Sequence, residues 1–365
     1  MRIAILGTRG IPANYGGFET FAEELSKRLV ERGDRVTVYC RERPSQPRYL
    51  GVDLVYLPTL RHKYFDTLAH TAISTFHLLG NRADVVLYCN GANAVFTVLP
   101  RLFGMPVALN VDGLERKRKK WNALARAWYL GSEWLATVLP SEVITDAVAI
   151  ADYYLQRYRK RTHFIAYGAD TCKEPTTSAL RKLNVAAGRY FLYVTRMEPE
   201  NNPLLVREAF EQLHTDCKLV LVGDAPYADD YIRRVRDTED PRVVLPGGIY
   251  GLGYRELQSH CFAYVHATEV GGTHPALIEA MGRGALTLYL DTPENREVAG
   301  GVGIPFTRET LVERMREVLN MPAVERLRWH ALAVQRVRER YSWDAVTSDY
   351  QRLFSSMTGI NSRLA

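Results

Sequence analysis

Residues 265–285 read VHATEVGGTHPALIEAMGRGA, and they follow an apolar run that begins at Cys261. The run from Cys261 to His266 predicts a buried strand, Gly271 and Gly272 a loop, and the residues beyond them a helix. Thr273 is a good N-cap, and Pro275 falls in the first turn, where a missing N–H costs nothing. A helix that starts just after two glycines offers backbone N–H groups and a positive dipole end to an anion, the dipole contributing about 0.3–1 kcal/mol. Gly271, Gly272, Thr273 and His274 are therefore the anion-binding candidates. Glu279 lies one turn further in, between Ile278 and Ala280. A carboxylate there can accept hydrogen bonds from ribose hydroxyls, or it is an ordinary solvated residue on the helix face.

The same strand–loop–helix unit recurs along the chain. Apolar strands are predicted at 2–8, 35–40, 52–57, 85–89, 107–111 and 143–145, then at 190–195, 218–222, 243–245 and 285–290, with helical stretches between them. That alternation predicts parallel, doubly wound α/β sheets. The polar, turn-rich segment YGADTCKEPTTS from Tyr167 to Ser178 divides the two series, as an interdomain crossover does. Two Rossmann-like domains follow, 1–168 and 169–340, and Arg340 to Phe354 reads as an amphipathic helix after them.

Ligands of such sheets sit at the carboxyl ends of the strands. Asp112 follows one such end and is a candidate for contact with a reacting group; an Asx-turn before Gly113 is the alternative. Arg196 follows another, ahead of Glu198-Pro-Glu-Asn-Asn202. Its planar guanidinium suits a diphosphate, with an ion pair to Glu198 or Glu200 as the alternative. The opening loop GTRGIPANYGG, residues 7–17, lacks the GxGxxG dinucleotide fingerprint but is long for a bare connection.

Charge and composition narrow the classes. The 365 residues are 47% apolar and 24% charged with a net charge of +6, as in a globular protein with an anionic partner. The most apolar stretch, 85–104, is broken by Asn90, Asn93 and Pro100, and the N-terminus reads as a strand rather than a signal peptide. A cytoplasmic protein is expected. The five cysteines form no CxxC and the nine histidines no HExxH, so reduced thiols and no metal are expected. Residues 115–136, ERKRKKWNALARAWYLGSEWLA, stand apart. Arg116, Lys117, Arg118, Lys119 and Lys120 run into Trp121, then Trp128, Tyr129 and Trp134. Basic residues beside tryptophans suit an anionic bilayer; the alternative puts the tryptophans in the core. No nucleic-acid-binding module accompanies the run.

The glycine loop with Glu279-Ala280-Met281, the Arg196 strand end, the Glu198–Asn202 turn and the opening GTRGIPANYGGFET together resemble the family 4 retaining glycosyltransferases, most closely their bacterial rhamnosyltransferase-like branch. The resemblance implies the GT-B architecture, two Rossmann-like domains facing each other across a cleft, with the C-terminal helix, 341–365, returning to the first. It implies that Glu279 binds the nucleotide ribose, that Gly16 and Gly17 approach the donor, and that Arg196 meets the diphosphate. The family's lysine after that arginine is Asn201 here, and its first glutamate falls on Gly271, leaving Glu269 as the candidate substitute. The implied donor is dTDP-rhamnose and the implied acceptor a lipid-diphosphate-linked sugar with N-acetylglucosamine, at the inner face of the cell membrane, with no cofactor or metal. A UDP- or GDP-sugar transferase, a nucleotide-sugar epimerase, and a non-catalytic binding protein are the alternatives.

Overall fold

The computed structural model describes residues 1–13, 16–60, 65–118, 121–225 and 228–359. The chain divides into two compact units. The first comprises 1–117, 121–167 and 343–365, and the second 118–120 and 168–342.

The first unit is an eight-stranded sheet. Its strands are β1 (Arg2–Leu6), β2 (Arg35–Cys40), β3 (Arg48–Tyr49), β4 (Val52–Tyr56), β5 (Val85–Cys89), β6 (Val107–Asn110), β7 (Glu142–Thr145) and β8 (His163–Phe164), in the order β3-β4-β2-β1-β5-β6-β7-β8. All pairs are parallel except β3 with β4. Helices α1 (Gly17–Glu31), α2 (Asp66–Gly80), α3 (Val98–Leu102), α4 (Ala123–Val138) and α5 (Val148–Tyr158) lie between the strands. β5 is buried along its whole length, the mark of a strand covered on both faces. Phe21, Ala22, Leu25 and Leu29 form the inward stripe of α1.

The second unit is a six-stranded, wholly parallel sheet. Its strands are β9 (Tyr190–Val194), β10 (Lys218–Val222), β11 (Val243–Gly247), β12 (Ala263–His266), β13 (Thr287–Leu290) and β14 (Ile304–Phe306), ordered β11-β10-β9-β12-β13-β14. Numbered within the unit, this is the doubly wound Rossmann order, and its direction reverses between β9 and β12. The helices are α6 (Ser178–Lys182), α7 (Pro203–Glu211), α8 (Asp229–Arg236), α9 (Gly251–His260), α10 (Pro275–Gly282), α11 (Pro293–Ala299), α12 (Leu311–Asn320) and α13 (Ala323–Arg340). Phe191, Phe210, Leu219, Val265, Leu288 and Phe306 are among the residues of its core.

The last helix, α14 (Trp343–Thr358), belongs to the first unit. The Tyr350 ring lies 5.4 Å from that of Phe21, and its hydroxyl accepts from Asn110 Nδ2 at 3.0 Å. Tyr350 and Phe354 are fully buried, each stabilising the unit by about 1.5–3 kcal/mol. Among the described residues no helix is long and apolar enough to cross a membrane.

Candidate active site at the carboxyl edge of the second sheet

The reversal of strand order between β9 and β12 opens a crevice at their carboxyl ends. Arg196 and the turn after it leave β9, and the loop from Ala267 to His274 leaves β12, so the two predicted segments flank one point. Asn202 ties them together: its Nδ2 donates to the Ala267 carbonyl at 2.8 Å and to Glu269 Oε1 at 3.2 Å. Its Oδ1 accepts from Arg308 at 2.6 Å, and Arg308 also pairs with Glu269. Glu269 is thus committed to an ion pair and a hydrogen bond.

Asn201 is mostly a brace. Its Nδ2 donates to the Arg196 carbonyl at 2.8 Å, and its own carbonyl accepts from Tyr193 at 2.5 Å. Glu200 is fully buried, and neither carboxylate oxygen has a hydrogen-bond partner. Nothing in the sequence marks it apart from the neighbouring Glu198. Arg196 is about a third exposed, with Nε 4.0 Å from Glu198 Oε2. That separation exceeds a hydrogen bond, so the ion pair weighed as an alternative does not close tightly.

The helix after the glycines starts differently from the prediction. His274, not Thr273, is the N-cap residue of α10, with extended backbone and no side-chain cap bond. Pro275 has no N–H, and that of Leu277 donates to the His274 carbonyl at 3.1 Å, so most of the donors for an anion come from the glycine loop rather than the first turn. Thr273 is buried.

His274 is instead held through its side chain. Asn295 on α11 spends both Nδ2 hydrogens, on the Thr268 carbonyl at 3.1 Å and the Leu290 carbonyl at 2.9 Å. Its Oδ1 is therefore the acceptor for His274 Nδ1 at 2.5 Å. That fixes the tautomer: Nδ1 carries the proton and Nε2 a lone pair. Nε2 has no hydrogen-bond partner. Burial, with a smaller contribution from Arg118, pushes the imidazole down to about 4, against hydrogen bonds with Asn295 and the Val270 backbone, so the ring is neutral at pH 7. The ring edge covers Gly271; a Cβ there would lie 2.3 Å from Nε2.

Glu279 is half-buried and accepts from the Tyr254 hydroxyl on α9. Gln258 donates to Tyr254 at 2.8 Å, and Arg283 to Gln258 at 3.3 Å. This relay fixes the carboxylate one turn behind the loop. Tyr254 and Gln258, four apart on α9, carry no chemical motif by which the sequence could announce them.

In the first unit, Asp112 follows β6 in the left-handed region at φ 57°, and its N–H donates to Asn110 Oδ1 at 3.0 Å. The Asx-turn is thus made by Asn110, and such a backbone is uncommon outside glycine and concentrates at functional sites. Gly16 is the extended N-cap of α1 and Gly17 its first residue. The glycines this loop requires sterically are Gly7, at φ 90° with a would-be Cβ 2.3 Å from the Cys89 carbonyl, and Gly10, at φ 104° with a would-be Cβ 2.7 Å from Cys40 Cα.

The basic run is not one lipid-facing strip. Arg116 donates to Glu133 at 2.9 Å and to the Tyr153 hydroxyl at 2.7 Å. Arg118 is buried, with Nη1 4.0 Å from Glu198 Oε2. Both serve buried carboxylates, whose isolation would be costly. Trp121 is half-buried, its ring 5.3 Å from Tyr129. Lys119, Lys120 and the side chain of Lys117 lie outside the described residues.

Residues 188–321 match the family model of the glycosyl transferases group 1. The chain is a glycosyltransferase. Residues 1–170 match a model described as a domain of unknown function, DUF1972. No curated protein sequence matches the chain. Among solved structures, Alr3699/HepE of Anabaena in complex with UDP is similar at 16% identity and a TM-score of 0.76, over 98% of this chain and 100% of that one. Sucrose-phosphate synthase of Thermosynechococcus elongatus is similar at 18% and 0.78, over 98% and 99%. WaaG, a glycosyltransferase involved in lipopolysaccharide biosynthesis, is similar at 16% and 0.72, over 98% and 100%. These likenesses give the enzyme the GT-B fold.

Proposed function

We propose that the enzyme transfers a hexose from a nucleoside diphosphate, with retention of anomeric configuration, to a lipid-diphosphate-linked sugar in cell-surface polysaccharide synthesis. The observation that carries this reading is the pairing, at one switch point, of Arg196 and the Gly271–Gly272 loop, with Glu279 fixed behind them by Tyr254. Glu279 accepts the ribose hydroxyls. Arg196 and the backbone donors of the loop meet the diphosphate and stabilise the charge that grows on it as it leaves, an effect worth about 10²–10³ in kcat per donor in comparable sites. His274 holds the glycine loop from behind, its imidazole packed on Gly271. Asp112, in the first unit, orients the acceptor. The attacking hydroxyl approaches from the face the diphosphate leaves, so the reading needs neither a separate base nor a metal.

The donor in this proposal is dTDP-rhamnose and the acceptor sugar N-acetylglucosamine, both supported by the resemblance of the loop and turn motifs. A UDP-sugar is the second reading, supported by the UDP in the HepE complex. The test offers dTDP-rhamnose, UDP-glucose and a GDP-sugar to the enzyme with a short prenyl diphosphate N-acetylglucosamine, and reads product mass and anomeric configuration. A retained glycoside from dTDP-rhamnose is expected; an inverted product, or donor isomerised without acceptor, rejects the proposal.

A further inference from the structure

Helix α4 wears its polarity inside out. Its buried residues are Ser132, Glu133 and Ala136, whereas Leu124, Trp128 and Trp134 are 80%, 42% and 56% exposed. Two tryptophans and a leucine therefore face solvent while a glutamate faces the protein, the reverse of what a water-exposed helix needs. The apolar surface continues onto α3, whose end carries exposed Leu102 and Phe103, and onto α2 at exposed Phe76. These elements adjoin: Arg101 on α3 donates to the Val138 carbonyl at the end of α4 at 3.3 Å, and Arg82, just after α2, donates to the Phe103 carbonyl.

Charge decides what covers this face. Among the described residues of α2, α3 and α4 the two carboxylates are both turned to arginines, Asp66 to Arg41 at 3.1 Å and Glu133 to Arg116 at 2.9 Å. The exposed ionised side chains on these helices are Arg101 and Arg126. A surface of tryptophan, phenylalanine and leucine whose own helices expose only arginines among their described ionised side chains matches the headgroup level of an anionic bilayer, where indole rings bury their apolar body and keep their N–H wet.

We propose that the outward face of α4, with the adjoining ends of α2 and α3, seats the enzyme on an anionic lipid bilayer. The face lies beyond the basic run that first suggested a membrane, because Arg116 and Arg118 of that run are turned inward. It deepens the reading of a lipid-linked acceptor, and its readout is partition rather than turnover, so the two fail separately.

The test sediments the full chain with vesicles of phosphatidylcholine alone or with added phosphatidylglycerol, across a range of salt. The intact protein should bind the anionic vesicles and release as salt rises. Trp128→Ser combined with Trp134→Ser should cut the bound fraction about ten-fold or more, with circular dichroism and nucleotide affinity unchanged. Arg126→Glu should weaken binding to anionic vesicles and leave the neutral ones alone. An intact protein that stays in the supernatant overturns the proposal, as does a double variant that sediments like the parent. So does a concentration-dependent dimer that the same substitutions abolish without any vesicle binding, since a second copy would then cover the face.

Discussion

Gly271 has no side chain because the His274 imidazole already fills the space one would take. The ring cannot swing aside freely, since Asn295 holds Nδ1 and is itself held by two carbonyls. Gly271→Glu should therefore overpack the loop and cost about 1–3 kcal/mol. Thermal unfolding checks this: the single variant should melt lower than the parent, and adding His274→Ala should recover most of the loss. A single variant as stable as the parent would mean the ring moves at no cost. At this scale the sequence was legible where a residue announces its own chemistry. Glu279 inside an apolar helix and Arg196 at a strand end both stand out. The partners that orient Glu279 and His274, which are Tyr254 and Asn295, come from other helices and look like ordinary surface positions until the sheet brings them in. Capping preference is local and points to Thr273, whereas burial and Asn295 decide the role of His274.

At the scale of elements, the strands were readable because both faces of a parallel sheet are buried, leaving continuous apolar runs such as β5 and β10. Their ends were overrun by a residue or two where a polar threonine continues the run; Thr8 and Thr195 lie outside their strands. β14 escaped notice because it is three residues long with Pro305 at its centre, tolerable only because it is the edge of the sheet. β3 and β8 have two residues each and leave no pattern. Helix α4 was visible as a helix, but its orientation was not. Periodicity identifies an apolar stripe without saying whether the stripe meets the core, and Glu133 turns inward only because Arg116, Tyr153 and Tyr158 await it.

For the whole molecule, three buried imidazoles shape its response to acid. Burial is the largest cause in each case. It pushes His70 in the first unit and His274 in the second down to about 4, and His266 well below its ordinary value. A folded pKa below the unfolded value near 6.5 means that the unfolded chain binds the extra proton first as pH falls. Stability is therefore full above about pH 6.5 and declines toward pH 4, where His70 and His274 begin to protonate in the folded state as well. Each of these two contributes about 3 kcal/mol to that decline. Urea midpoints measured from pH 7.5 to 4.5 should fall steadily below pH 6.5, and a flat profile would show that the rings are protonated in the fold. His274→Gln should reduce the second unit's share of the slope, leaving the part due to His266, and leave that of the first.

The central claim is that the carboxyl edge of the second sheet binds a nucleoside diphosphate through Glu279 and its neighbours. Calorimetric titration of dTDP, UDP, GDP and NAD into the enzyme and into Glu279→Ala, with and without a chelator, tests it most directly. One nucleoside diphosphate should bind tightly whether or not chelator is present, NAD should not bind, and Glu279→Ala should weaken the affinity about ten-fold or more, as the loss of hydrogen bonds to a charged acceptor requires. Binding of none of them, or an affinity that Glu279→Ala leaves unchanged, would contradict the account.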